Sequence, residues 1–148
     1  MRTLLRSAIV LVLLAAGGCA GTGAPTSTYS YDPRFNFAEW KAYRWGAAKP
    51  LSVRDPLLEA NVRFLVEREL QAKGLTQQWE KATLVVGVDY KSGPKEYELK
   101  ELTLNFTLPE GRELVWRGLA TGPIKTDAAS GELQKVVAGL LANFPPKK

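Results

Sequence analysis

Residues 97–108 constrain the fold more than any other stretch of the chain. Leu102, Leu104, Phe106 and Leu108 alternate with Glu101, Thr103, Asn105 and Thr107. A period of two reads as one long strand with a buried face and a wet one. Upstream, Thr83–Tyr90 carries Leu84, Val86, Val88 and Tyr90 on one side and Val85 and Gly87 on the other. Apolar residues on both sides suggest an interior strand. Lys91–Lys95 reads as a turn and Pro109–Arg112 as a tight hairpin connection, after which Glu113–Thr121 supplies a third strand. The three predict an antiparallel meander whose apolar face needs a cover.

Two helical patterns can provide it. Asp55 and Pro56 open the first, because Asp caps free amides and Pro fits the first helical position. Leu58, Val62, Leu65, Val66 and Leu70 then share one face, Glu59, Arg63 and Glu67 the other, and Lys73-Gly74 ends the run. The second stripe is Leu133, Val136, Val137, Leu140, Leu141 and Phe144, stopped by Pro145-Pro146. Tyr29–Tyr31 and Lys41–Trp45 read as two further strands before the first helix. The expected fold is α+β: a twisted, largely antiparallel sheet of about five strands, with two helices packed on one face and the polar side of 97–108 left exposed.

The N-terminus points to a location. Arg2 and Arg6 precede a short apolar run, and Gly17-Gly18 leads into Cys19, the only cysteine. A basic start, an apolar core and small residues before the cut describe a secretory signal. A cysteine at the cut resembles the bacterial lipobox, in which the thiol is diacylglycerylated and the new amine acylated. Ala16 stands where the usual lipobox has Leu. The alternatives are a plain secretory signal and a membrane span, which needs roughly 20 apolar residues; Ser7–Ala16 offers 10. Ala20, rather than Asp, follows the cysteine, as in lipoproteins passed to the outer membrane of Gram-negative bacteria. The expected organisation is a signal peptide over 1–18, a flexible tether over 19–28 carrying lipidated Cys19, and one α+β domain over 29–148.

Composition narrows the chemistry. The chain holds 20 basic and 15 acidic side chains and no histidine. Two of the basic ones leave with the signal, so the mature excess is mild and no block of like charge marks a nucleic-acid surface. Without histidine the commonest general base, the usual zinc ligand and every Ser-His or Cys-His nucleophile are missing. A lipidated Cys19 leaves no thiol for redox or nucleophilic work. No Walker-type loop or G-x-G-x-x-G run occurs. The expectation is a non-enzyme with no cofactor, no metal and no nucleic-acid partner.

Six residues remain as candidates for ligand or partner contact. Trp40, Tyr43, Trp45 and Trp116 suit sugar stacking or peptide binding, and equally suit core packing. Arg44 and Arg117 alternate with tryptophans, and an arginine pair can hold a carboxylate or phosphate. The leading reading is a tethered interaction or scaffold module of the cell envelope, with an envelope protein or cell-wall partner. The alternatives are a periplasmic binding module for a small lipid, glycan or cell-wall fragment, and a carboxylate-only enzyme.

Several segments together resemble a known family. Tyr31-Asp32-Pro33, Phe37 and Trp40–Trp45 resemble its opening pattern, with Trp40 where the family has Tyr. Asp55–Leu58 and Leu70–Gly74 resemble its first helix, Leu84–Val86 a strand lacking the usual preceding acid, Val115–Gly118 a strand, and Phe144–Pro146 its terminus. On these motifs the chain is similar to domain-of-unknown-function family 4136, a bacterial envelope lipoprotein family. The resemblance implies a fold class and an envelope location; it implies no activity and no catalytic residues.

Overall fold

A computed structural model describes residues 23–47, 55–110 and 113–146. Cys19 and the signal segment lie outside the described residues. The elements in order are β1 (Thr26–Tyr31), a 3-10 turn (Phe37–Glu39), β2 (Ala42–Trp45), α1 (Pro56–Ala72), β3 (Thr76–Gln77), β4 (Leu84–Ser92), β5 (Glu98–Thr107), β6 (Leu114–Lys125) and α2 (Glu132–Leu141).

The strands form one six-stranded sheet in the order β1-β6-β5-β4-β2-β3. The meander β4-β5-β6 is antiparallel, as the alternation predicts, and β1 extends it antiparallel to β6. The other side differs from expectation: β2 runs parallel to β4, and β3 parallel to β2. The sheet is therefore mixed and has six strands rather than about five. The cause is α1, which carries the chain back to the end where β2 began, so β4 must start beside it in the same direction. Strand β3 is only two residues long, held by Thr76 N–H to Lys41 O at 2.8 Å and Gln78 N–H to Tyr43 O at 2.9 Å. It is too short to show a period. At the other edge β1 starts at Thr26, so three residues assigned to the tether belong to the sheet.

Helix α1 begins and ends as its sequence dictates. The Asp55 carboxylate accepts from Leu57 N–H at 3.1 Å and Leu58 N–H at 3.0 Å. At the far end Gly74, at φ +82°, donates to Gln71 O at 2.9 Å, and Leu75 N–H reaches Leu70 O at 3.0 Å. That pair is a Schellman closure, and its two leucines are both buried. Helix α2 starts after a left-handed Gly131 and buries Leu133, Val136, Val137, Leu140 and Leu141. It stops at Leu141, one turn short of the stripe. Phe144 follows in the turn and still enters the core, stacked on Phe106 at 4.4 Å and edge-on to Trp116 at 5.4 Å.

Both helices cover one face of the sheet. Trp45 Nε1 on β2 donates to Glu67 Oε1 of α1 at 2.8 Å, and Gly118 on β6 faces the Leu140 side chain of α2. The core between them holds Val62, Val66 and Leu70 of α1, Leu84 and Val86 of β4, Leu102, Leu104 and Phe106 of β5, and Trp116 of β6. No described helix is long and apolar enough to cross a membrane.

Candidate functional surface

The sheet's second face is built by the alternating residues that do not enter this core. The register arranges them in rows across the strands. Ser30, Arg117, Asn105 and Gly87 form one row, and Thr28, Leu119, Thr103 and Asp89 the next. Thr26, Thr121, Glu101 and Lys91 form a third. Arg117 Nε donates to Asn105 Oδ1 at 2.8 Å, and Asn105 Nδ2 donates to Asp89 Oδ2 at 3.1 Å. Directly opposite Asn105 stands Gly87, which has no side chain, so the amide leans along β4 to the next outward residue. Lys91 Nζ meets the Glu101 carboxylate at 3.0 Å. Thr26 and Thr121 share a hydroxyl hydrogen bond at 3.0 Å. Among the described polar side chains on this face Thr103 alone is buried, closed in between its neighbours at the centre. Arg117 stays exposed; Glu101, Asn105, Thr107 and Leu119 are half-buried.

The six candidate residues divide between the two faces. Tyr43, Trp45 and Trp116 lie in the core. Burial, with the Glu67 carboxylate adding to it, pushes the Tyr43 phenol up to about 12. Trp45 is sandwiched: its Nε1 is bound by Glu67, and the Arg63 guanidinium lies 4.8 Å from its ring centroid. Trp116 is fully buried, and its Nε1 has no hydrogen-bond partner among the described residues. Trp40 is half-buried, packed at 5.6 Å on Phe35 and 4.8 Å on Phe37. Arg44 and Arg117 share the outer face, yet β4 and β5 stand between their strands. At neighbour spacings of about 4.8 Å, three steps leave roughly 14 Å, too far for one small anion. Arg44 is covered instead by Trp79, whose ring centroid is 5.2 Å from the guanidinium carbon.

Two recesses touch the candidate tryptophans. Trp45, Glu59, Arg63, Gly87 and Asp89 line a cavity of about 110 Å³, well below the roughly 300–1,000 Å³ of sites that bury drug-sized ligands. Tyr31, Asp32, Pro33, Leu114 and Trp116 line an open groove of about 380 Å³. At its rim Arg34 forks onto Asp32 and reaches Glu113 Oε1 at 3.2 Å. The Arg34 hydrogen bonds hold the Asp32 carboxyl below its ordinary value. Among the described residues no three Asp, Glu or Cys side chains come together as metal ligands would.

The family model described as Domain of unknown function (DUF4136) matches residues 27–146. The chain belongs to this family. The match runs from the second residue of β1 to the prolines after α2, so all of the sheet but Thr26, and both helices, fall within the DUF4136 unit. No curated protein matches the sequence significantly. Solved structures share the fold at low identity. A DUF4136 family protein from Bacteroides thetaiotaomicron VPI-5482 is 13% identical, with a TM-score of 0.60 over 83% of this chain and 97% of that one. The PelC dodecamer subunit from Paraburkholderia phytofirmans is 15% identical, with a TM-score of 0.56 over 84% and 99%. A PDZ domain protein from Parabacteroides distasonis ATCC 8503 is 13% identical with a TM-score of 0.61. The matched part covers 84% of this chain and only 36% of that longer protein.

The sequence did not single out Asp89 or Trp79, and marked Asn105 only as one of the wet-face residues of 97–108, with Thr103 and Thr107. The outward direction of Asn105 and Arg117 was legible from alternation, but their contact depends on the hairpin register. Trp79 lies in the polar run Gln77–Lys81, where no period marks it.

Proposed function

We propose that this chain is a lipid-anchored, non-catalytic interaction module of the bacterial envelope, held at the outer membrane through Cys19 and facing the periplasm. Its contact surface is the polar sheet face. The observation that carries this reading is the Asp89–Asn105–Arg117 chain, three outward side chains linked across β4, β5 and β6 on the face opposite the helices. Such a face is pre-ordered, so a partner gains hydrogen bonds without paying for loop ordering. Envelope location is supported by the signal ending in Gly17-Gly18-Cys19 and by membership of the family whose lipoproteins the opening motifs resemble.

Two measurements test it. Cys19→Ser should release the chain from membranes or leave its signal uncut, because stable anchoring takes two or more acyl chains. Normal processing with unchanged membrane sedimentation overturns the lipid anchor. Crosslinking in the intact envelope, followed by pull-down of the full chain, should yield a defined partner that Arg117→Ala loses. Light scattering of the purified chain belongs beside it, since the PelC neighbour forms a dodecamer and a further copy of this chain is one such partner.

A further inference from the structure

The point where the chain enters the fold, and what surrounds it, carry an inference that rests on the lipid-anchor reading. Gly23, Ala24 and Pro25 run beside Pro123 and Lys125, and Pro25 Cα lies 3.2 Å from the position a Gly122 Cβ would take. The next residues of that strand end turn toward the β4–β5 hairpin: Thr126 N–H donates to Tyr97 O at 2.8 Å. The start of α1 sits there too. Asp55, Tyr90, Tyr97 and Thr126 line one recess, and Asp55 N–H donates to the Tyr90 hydroxyl. One end of the domain thus gathers the incoming chain, the hairpin tip and the first turn of α1.

That end displays apolar side chains without a cover. Leu57 is 72% exposed and Tyr97 63% exposed. Tyr97 also holds φ +55°, a left-handed conformation that non-glycine residues seldom adopt. Charge there is mixed rather than one-signed: Lys91 pairs with Glu101, Lys125 stands opposite Glu98 in the register, and Asp55, Lys95 and Glu96 line the same recess. From Cys19 to Gly23 is four residues, which span at most about 14 Å fully extended. An acylated Cys19 lies at the lipid–water boundary, so this end cannot leave it by more than that reach. Tyrosine is the side chain whose apolar ring and polar tip suit that boundary.

We propose that this end is a membrane-docking face, in which Tyr97 and Leu57 enter the headgroup layer of the bilayer that holds the anchor. The contact is apolar, since the local charges are of both signs and offer no one-signed patch to the headgroups. It fixes the orientation of the domain: the strands stand up from the membrane, and the polar sheet face turns sideways toward neighbouring molecules.

The test uses the full lipidated chain. Diacylglycerol on Cys19 leaves no free thiol there, so Tyr97→Cys, Leu57→Cys and Trp79→Cys each carry one site for a polarity-sensitive dye. Trp79 is the control: it is 73% exposed and lies over Arg44, at the opposite end of the sheet. In vesicles of phosphatidylethanolamine and phosphatidylglycerol, dyes at 97 and 57 should shift to the blue and lose most of their emission to headgroup-quencher lipids. The dye at 79 should do neither, and added salt should change nothing. Emission at 97 and 57 matching that at 79 overturns the docking face, as does contact that salt abolishes. Failure of the anchor reads differently: mass spectrometry then finds no diacylglycerol, and wild type itself takes up dye at Cys19.

Discussion

Asn105 on β5 is tied on both sides, accepting from Arg117 Nε at 2.8 Å and donating to Asp89 Oδ2 at 3.1 Å. All three side chains project from the face opposite the helices. Asn105→Ala removes both bonds at once. Arg117 is exposed and can turn to water, so the loss should be small, under about 1 kcal/mol. If the face is the contact surface, the same change should weaken partner capture clearly. Denaturant melts and envelope crosslinking measure the two effects separately. A variant that melts as wild type does and captures its partner as well would remove this face from the functional account.

Two glycines, Gly118 on β6 and Gly87 on β4, should respond oppositely to alanine. A Cβ at Gly118 would stand 2.5 Å from the Trp116 ring and 3.3 Å from Leu140 Cδ2, inside the core. Trp116 is fully buried among Phe106 and Phe144 and cannot swing away. Gly118→Ala should therefore cost about 1–3 kcal/mol, the usual penalty of overpacking. At Gly87 the nearest atoms to a Cβ are those of Asn105, at 3.9 Å and beyond, an ordinary contact. Gly87→Ala should be neutral or slightly stabilising, because alanine loses less backbone freedom on folding. Equal midpoints for the two variants in urea would mean that Trp116 is not packed as described.

These contrasts also show which parts of the molecule a single sequence makes legible. Both helices and the meander were legible because their signals are local: a cap such as Asp55-Pro56, a stop such as Lys73-Gly74, a period of two through Leu102–Leu108. Strand direction was not. Tyr43 and Trp45 alternate in the same way whether β2 runs parallel or antiparallel to β4, and only the path of α1 decides. Alternation likewise told that Arg44 and Arg117 point away from Tyr43, Trp45 and Trp116. It could not tell that two whole strands separate the arginines, because strand order is a tertiary property.

Leu140→Ala should destabilise by about 2–5 kcal/mol, as for a buried leucine. Leu140 is 1% exposed and packs toward Gly118, where no β6 side chain exists to fill a cavity. Lys135 lies on the exposed side of the same helix. Lys135→Ala should stay within about 0.5 kcal/mol of wild type. The pair separates loss of core packing from loss of helix propensity, since alanine is a good helix former at both sites. Similar losses in urea melts would mean that α2 presents a different face to the sheet.

Tyr43 gives the domain an alkaline limit. Its phenol is buried beside Glu67 and titrates only at about 12, against 10.0 for a free tyrosine. The raised value means that the folded state keeps the proton where the unfolded chain would release it. The stabilisation is fully present below pH 10 and is lost as pH rises from 10 through about 12. A shift of about two pH units corresponds to roughly 2–3 kcal/mol at most. Lysines and the other tyrosines also titrate in this window, so the comparison with Tyr43→Phe isolates the effect. Phenylalanine has no proton to lose, and its stability should fall less steeply between pH 10 and 12. Thermal melts of both proteins across that range decide the matter: parallel curves would show that the Tyr43 phenol is open to water and free to ionise in the folded state.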